Sequence, residues 1–232
     1  MNMKQVEAQE KQRIKRNLAY TEVGVRFIDI RTAYIDEDVR IGKGTVIYPC
    51  VVLEGGVTIG EDCVIGQNTR IVDSSIGDGT TIQSSVILQS KVGNETTVGP
   101  FAYLRPNSTI GDKCKVGDFV EVKNSSMGDG AKASHLTYIG DSDVGKDVNL
   151  GCGVVFVNYD GSQKYRSVVE DGAFIGCNSN LVSPVHIGEK AYIAAGSTIT
   201  EDVPAGALYI ARARGRALLD WVAKRGILKK KK

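Results

Sequence analysis

The chain has 232 residues, enough for one large domain or two small ones, and carries a formal net charge of +2 at pH 7. Hydrophobic residues make up 42% and charged residues 24%, as in an ordinary soluble globular protein. So small a charge does not favour nucleic acid as a partner, and the lack of a run of about 18 apolar residues argues against a membrane span.

Five cysteines occur without a CxxC pair: Cys50, Cys63, Cys114, Cys152 and Cys177. This odd, scattered set does not favour a disulfide framework or a zinc ribbon, and it fits reduced thiols in the cytoplasm better. The N-terminal stretch "MNMKQVEAQEKQRIKRN" is polar and lacks the apolar core of a signal peptide, so we expect a cytoplasmic protein.

The first predicted element is a helix over residues 4–20, which are rich in helix formers and contain neither Gly nor Pro. We assign residues 1–22 to an N-terminal helix and linker. The next segment, residues 23–205, is predicted to form the main domain.

Aliphatic residues recur every six residues, occasionally every five, from Ile59 to Phe156 and again from Val169 to Ile199. A helix requires a period of 3.6 and a flat strand a period of 2, so this period indicates short strands separated by tight bends. Gly often follows the aliphatic residue, as in "IGEDCV" and "IGDGTT", and suits a corner without a Cβ. The pattern predicts an all-β fold, a parallel β-helix of hexapeptide repeats, in which most residues are scaffold.

Two segments interrupt or end the repeat. Between Phe156 and Val169, the stretch "VNYDGSQKYR" predicts a loop that leaves the solenoid, a common place for functional residues. After Val203 the hexad is lost, so we assign residues 206–232 to a C-terminal tail with a short helix in "RALLDWVAKR" and a solvated basic end, "LKKKK".

Several motifs inside the repeat carry a resemblance: "LRP" at 104–106, "FVEVK" at 119–123, "SHLTYIGD" at 134–141, "VNLG" at 148–151 and "NYDG" at 158–161. In this order they resemble the acetyltransferase half of the bifunctional glucosamine-1-phosphate acetyltransferase and N-acetylglucosamine-1-phosphate uridyltransferase family, over residues 4–212. The resemblance implies a left-handed coil. The chain begins at what resembles the connecting helix of that family, so uridyl transfer is not expected of it.

The reaction implied by the resemblance is acetyl transfer from acetyl-CoA to the amino group of glucosamine 1-phosphate, on the route to UDP-N-acetylglucosamine and the cell wall. His135 matches the base of the family, and imidazole suits proton removal near neutral pH. Glu121, a little less than one full coil earlier, is predicted to orient it, whereas His186 is expected to be structural or exposed. No metal is expected to take part.

The predicted acceptor site contains Arg105, Lys123 and Lys164 for the phosphate, with Tyr138 and Asn149 for sugar hydroxyls or phosphate. Arg105 and Lys123 are three hexads apart, which places both at the same edge of a three-sided coil. By resemblance, the coenzyme contacts are Cys152, Asn158, Tyr159, Cys177, Ala195 and Arg212. Cys152 and Cys177 replace other small residues of the family, and their contacts are expected through backbone groups.

The resemblance also implies a homotrimer with active sites between adjacent β-helices, and a loop carrying Lys164 that reaches a neighbouring subunit. Four alternatives remain: an acyltransferase with another amino- or hydroxy-sugar acceptor, a zinc hydratase, a solenoid used only for binding, and an oligomerisation module. A three-imidazole zinc site is disfavoured by the presence of only two histidines.

Overall fold

The hexad repeat folds into a left-handed parallel β-helix, in a computed structural model that describes residues 2–227. Each coil contributes one short strand to each of three flat sheets, taken in the order first, second, third sheet along the chain. We call the bend after the first sheet the first corner, and the bend after the second sheet the second corner.

Within the described residues, the three sheets contain 11, 10 and 9 strands, all paired in parallel. The first sheet consists of β1 Arg26–Phe27, β4 Val46–Ile47, β7 Val64–Ile65, β10 Thr81–Ile82, β13 Thr97–Val98, β16 Lys115–Asp118, β19 Lys132–His135, β22 Asn149–Leu150, β25 Phe174–Ile175, β28 Tyr192–Ile193 and β30 Leu208–Tyr209. The second sheet consists of β2 Tyr34–Ile35, β5 Val52–Glu54, β8 Arg70–Val72, β11 Val86–Leu88, β14 Tyr103–Leu104, β17 Glu121–Lys123, β20 Tyr138–Gly140, β23 Val155–Val157, β26 Asn180–Val182 and β29 Thr198–Ile199. The third sheet consists of β3 Arg40–Ile41, β6 Thr58–Ile59, β9 Ser75–Ile76, β12 Lys91–Val92, β15 Thr109–Ile110, β18 Ser126–Met127, β21 Ser142–Val144, β24 Ser167–Val169 and β27 His186–Ile187.

The core is the stack of inward side chains predicted from the hexad. Every position of the predicted repeat between Ile59 and Ile199 is buried, and none is more than 4% exposed. The stack also extends to earlier coils, through Ile47 and Leu53, which are fully buried. Both lie at six-residue steps before Ile59, so the repeat begins ahead of its predicted start.

Helix α1, Met3–Glu22, covers the first coils and matches the predicted helix. Asn2 and Gln5 form a capping box at its start, each side chain bonding the backbone N–H of the other. Asn17 is fully buried and donates two 3.0 Å hydrogen bonds, to the carbonyls of Ile30 and Ala33. The helix therefore closes the N-terminal end of the stack by satisfying backbone groups that no preceding coil pairs.

The C-terminal end is less regular than the coils. Strand β30 pairs with β28, so the first sheet continues past residue 205. The predicted helix in residues 216–225 is shorter in the structure: α2 spans only Trp221–Lys224, because Asp220 before it adopts φ 59° and provides no side-chain cap. The predicted solvated basic end, residues 228–232, lies outside the described residues.

Neither helix in the described part of the chain is both long and apolar enough to cross a membrane.

Candidate functional site

The predicted loop leaves the coil between β23 and β24. Along the first sheet, Lys132 pairs with Asn149 on the next regular coil, whereas Asn149 pairs with Phe174 across the inserted loop. A backbone bridge between Tyr159 and Lys164 closes the loop on itself. The insertion therefore projects from the second corner, and the coils before and after it keep their stacking.

His135 lies at the first corner, at the end of β19, with its side chain 56% exposed. Its Nδ1 is 2.6 Å from Oδ1 of Asp118, on the adjacent coil. The hydrogen bond from His135 holds the pKa of Asp118 below its usual range, with a smaller attraction from Lys115. An ionised carboxylate only accepts, so Nδ1 carries the proton, and Nε2 is left with a free lone pair.

The orienting role predicted for Glu121 is not supported by this geometry. The register places Asp118 one full coil before His135, and it places Glu121 beside Tyr138. The Glu121 carboxylate accepts a 2.8 Å hydrogen bond from Arg105 Nη1 instead. The spacing from Glu121 to His135 falls short of a full coil, and so Glu121 lies on the face of the second sheet.

The predicted base and three predicted coenzyme positions form one column along the first corner. Register pairs place Cys152, Cys177 and Ala195 on successive coils above His135. With parallel strands about 4.8 Å apart, the column from His135 to Ala195 is about 14 Å long. Gly176 keeps this corner tight, because a Cβ there would lie 2.5 Å from the backbone nitrogen of Ala195.

Backbone N–H groups along this column are available to a ligand. Within residues 2–227, the N–H groups of Cys152, Cys177 and Ala195 have no hydrogen-bond partner, whereas their neighbours pair with adjacent coils. Arg212 stands at the top of the column, where its Nη1 donates to the carbonyl of Ala195 at 2.7 Å. The column therefore offers small side chains, free donors and a guanidinium to an extended ligand with negative charge at one end.

A second group of side chains lies at the second corner. Arg105 and Lys123 are on adjacent coils at the same edge, as predicted, since Arg105 N–H bonds the carbonyl of Val122. Lys164, from the projecting loop, lies beside Lys123 of the same chain, and that neighbouring ammonium lowers the pKa of Lys164. Three cations therefore share this corner, and two of them repel each other.

Asp141 links several side chains of the second corner through hydrogen bonds. Its carboxylate accepts from Lys123 Nζ at 3.1 Å, from Asn124 Nδ2 at 2.6 Å and from Asn158 Nδ2. Burial opposes charge on Asp141, but these hydrogen bonds outweigh it and lower the pKa of the carboxyl. Burial likewise opposes charge on Lys123, but the hydrogen bonds that its ammonium donates, to Lys164 in its uncharged form and to Asp141, raise its pKa.

The remaining predicted residues are divided between these places. Tyr138 faces outwards from the second sheet, with its hydroxyl 3.5 Å from Asn158 Nδ2. Gly140 makes this approach possible, because a Cβ there would collide with the Tyr138 hydroxyl. Tyr159 is 55% exposed on the loop, and Asn149 lies on the first sheet. Asn158 is only 6% exposed and bonds Asp141, so its side chain faces the cation group rather than the first-corner column.

The two groups are joined across one strand of the second sheet. The chain runs from His135, at the first corner, through β20 with Tyr138, to Asp141 at the second corner. Sequence reasoning missed Asp118 and Asp141. Asp141 ends the "HLTYIGD" motif itself. Asp118 is one residue short of three hexads before His135, so counting in hexads leads to its neighbour Gly117.

Other titratable groups do not join this site. His186, on β27 of the third sheet, bonds Glu170 through Nε2 at 2.9 Å and is exposed, as expected for a residue outside the site. All five cysteines are free thiols. Residues 2–227 contain no cluster of three or more His, Cys, Asp or Glu side chains suited to a metal ion.

Comparison with known proteins finds a family that matches three segments of the repeat. The family described as bacterial transferase hexapeptide (six repeats) matches residues 38–73, 89–124 and 166–201. A structure of UDP-N-acetylglucosamine acyltransferase from Arabidopsis matches with a TM-score of 0.45 and 19% identity, over 85% of this chain and 77% of that one. A likeness at that level adds no argument about function.

Much higher identity is found with curated proteins. The bifunctional protein GlmU of Clostridium beijerinckii is 56% identical over 96% of this chain and 49% of its own length. That of Clostridioides difficile is 58% identical over 94% and 48%, and that of Geobacillus sp. (strain WCH70) is 60% identical over 82% and 42%. The chain thus spans about half the length of these relatives. Over most of its length the chain is therefore a relative of the GlmU proteins, and parts of its repeat match the bacterial hexapeptide transferases.

Proposed function

We propose that this chain is a glucosamine-1-phosphate N-acetyltransferase that uses acetyl-CoA and forms N-acetylglucosamine 1-phosphate, on the route to UDP-N-acetylglucosamine and peptidoglycan. The observation that carries the proposal is the first-corner column, in which His135 lies directly below the free N–H groups of Cys152 and Cys177. High identity to the GlmU proteins supports it. The free thiols fit a cytoplasmic enzyme.

The cation group at the second corner supports a phosphorylated acceptor. Lys123 and Lys164 lie side by side, and the lowered pKa of Lys164 reflects the repulsion between them. A phosphate between them would relieve that repulsion, and Arg105 adds a planar donor suited to phosphate oxygens. The sugar would then lie over Tyr138, with its amino group directed towards the first corner.

His135 suits the chemistry at the amino group. Nε2 of His135 is free to accept a proton from the substrate ammonium, because Nδ1 is engaged with Asp118. The neutral amine then forms a C–N bond with the thioester carbonyl carbon, and the C–S bond breaks. The nitrogen must lose a second proton to become an amide. One of the two protons passes through His135 to the leaving thiolate, which becomes the free thiol, and the other goes to solvent, so the imidazole ends the cycle neutral.

The first-corner column fits the cosubstrate. Acetyl-CoA supplies an activated acetyl thioester at the end of a long, flexible arm that bears phosphates at the other end. Small side chains at Cys152, Cys177 and Ala195 leave room for the arm, and their N–H groups provide donors for its amides. Arg212 would meet the phosphates, since its guanidinium stands at the top of the same column.

We also propose that the chain works as a homotrimer with sites between subunits. Phe101 and Phe119 stack with ring centroids 5.5 Å apart, and Leu136 continues this ridge, all three between 56% and 59% exposed. All three adopt positive φ, which is unfavourable for large side chains. An exposed apolar ridge beside His135 is well suited to burial against a second copy of the chain.

The test is thiol release from acetyl-CoA by the purified chain, followed with a thiol-reactive dye, across a panel of acceptors. Glucosamine 1-phosphate should support turnover far better than glucosamine, because only the former engages the cation group. Acetylated product should be identified by mass spectrometry. Turnover that prefers a UDP-sugar or a hydroxyl acceptor would favour the rival assignment, a hexapeptide acyltransferase of different specificity.

Chain mass in solution, by light scattering, tests the assembly. A trimer that dissociates on Phe119→Ser supports burial of the ridge, with the exposed Tyr34→Ser as a matched control far from His135. A monomer with full activity would overturn the proposal of shared sites.

A further inference from the structure

We infer that Asp118 is the positioning residue for His135, fixing the ring orientation and the tautomer that leaves Nε2 as the base. This inference rests on the proposed function for its catalytic consequence. The observation behind it is independent, since the 2.6 Å contact between Asp118 Oδ1 and His135 Nδ1 is part of the fold.

The coil geometry brings these two residues together in an unusual way. Strands β16 and β19 have four residues each, and their ladder extends to a direct register pair between Asp118 and His135. The backbone N–H of Leu136 then bonds the carbonyl of Asp118 at 2.9 Å. Both side chains therefore leave neighbouring strand positions in the same direction, and the separation of their backbones is set by the sheet.

Gly117 permits this close approach. A Cβ at Gly117 would collide with the backbone carbonyl of Ser134, the residue before His135. Any larger residue would push the two strands apart just where Asp118 meets the imidazole. Gly117 thus allows the two strands to approach closely, and Asp118 supplies the carboxylate that accepts the hydrogen bond from His135.

The charge of Asp118 matters as well as its position. His135 is 56% exposed, so packing alone does not hold the ring. A carboxylate that accepts from Nδ1–H fixes the tautomer and stabilises the imidazolium that forms when Nε2 takes a proton. Glu121 cannot share this task, because its carboxylate is bonded to Arg105.

The second histidine provides an internal control. His186 donates to Glu170 through Nε2, the opposite nitrogen, because a carboxylate there also only accepts. The two histidines should therefore show opposite tautomers in the same sample. With only two imidazoles in the chain, nitrogen NMR of this chain resolves both.

The experiment compares the wild-type chain with Asp118→Asn, Asp118→Ala and Glu170→Gln. In the wild type, the His135 proton is expected on Nδ1. Asp118→Ala should lose that preference and lower kcat at least about tenfold, less than the 10²–10⁴ that a general base contributes. Asp118→Asn should keep the tautomer through its amide oxygen but shift the acid limb of the pH profile to lower pH, because a neutral amide stabilises imidazolium less.

Each outcome decides something distinct. Glu170→Gln should change only the His186 signals and leave turnover unchanged. An unchanged His135 tautomer and unchanged kcat in Asp118→Ala would overturn the inference. A wild-type chain without acetyl transfer would defeat the proposed function, while the tautomer measurement would still decide whether Asp118 holds the ring.

Discussion

Lys123 Nζ lies 3.1 Å from Asp141 Oδ2, and the two side chains are only 18% and 9% exposed. The pair is held in place by the stacking of adjacent coils, since the N–H of Asp141 bonds the carbonyl of Lys123. The pair thus prepares a cation at the second corner before any acceptor binds.

Lys123→Met should therefore raise KM for glucosamine 1-phosphate. A hydrogen bond to a charged group contributes about 1.5–3 kcal/mol, so the increase should be roughly 10-fold to 150-fold. Lys91→Met, which removes an exposed lysine on the third sheet, is the matched control. The measurement is the ratio of kcat/KM for glucosamine 1-phosphate and glucosamine, and an equal loss for both acceptors would argue against a phosphate contact.

His135→Ala should lower kcat by about 10²–10⁴, the range that a positioned general base supplies. KM for both substrates should change little, because the cation group and the coenzyme column remain intact. His186→Ala is the control, since His186 lies on the third sheet and bonds Glu170. The measurement is kcat and KM of the purified variants by steady-state kinetics. Near-normal turnover in His135→Ala would show that His135 is not the general base.

The fold could be predicted from the sequence because the six-residue spacing of aliphatic side chains follows directly from how the coils pack. One aliphatic side chain per strand must point inwards, so core positions such as Ile65 and Ile71 can be recognised from their spacing alone. The same regularity predicted that Arg105 and Lys123 share an edge. The same six-residue spacing extends back from Ile59 through Leu53 to Ile47, which are fully buried although the predicted repeat began at Ile59.

The pairing of polar side chains was harder to predict. Coils of unequal length occur side by side, so a small shift in register changes which side chain meets His135. Glu121 was predicted to orient the ring because it lies a little short of one coil before His135, whereas the actual register brings Asp118 to the ring. The place of Lys164 also depended on how the projecting loop folds back, for which the sequence contains no periodic signal.

Modification of Cys177 should block acetyl transfer. Cys177 is exposed in the first-corner column, so a bulky group on its sulfur would fill the space proposed for the coenzyme arm. We expect N-ethylmaleimide to inactivate the chain and acetyl-CoA to protect it. Cys177→Ser should retain turnover and resist the reagent, whereas Cys50→Ser, which removes the other exposed thiol, should remain sensitive. Equal sensitivity of Cys177→Ser and the wild type would contradict the assignment of the column.

Acid should weaken the fold in part through Asp143. A hydrogen bond from Arg166 holds the pKa of Asp143 below its usual range. Because the folded pKa lies below the unfolded value of about 3.9, the stabilisation is complete above that pH and is lost as pH falls through the folded pKa. The gap in unfolding free energy between the wild type and Asp143→Asn should therefore narrow below about pH 4.

Urea denaturation at several pH values measures this gap. Asp38→Asn is the control, because Asp38 is an exposed turn residue. Its effect on the unfolding free energy should be small throughout. A gap for Asp143→Asn that stays constant from pH 7 to pH 3 would show that the Arg166 contact does not stabilise the fold.

Phe156→Ala should destabilise the solenoid by about 3–5 kcal/mol, the usual result of emptying a fully buried aromatic position. The adjacent Val157→Ala is the control, because Val157 is 36% exposed and its truncation leaves no cavity. Phe156 anchors β23 just before the projecting loop, so a loosened strand should also misplace Asn158 and Lys164. We therefore expect a raised KM for glucosamine 1-phosphate at temperatures where the variant is still folded. Loss of stability with an unchanged KM would mean that the loop is held by its own contacts, such as that of Asn158 with Asp141, rather than by the core beneath it.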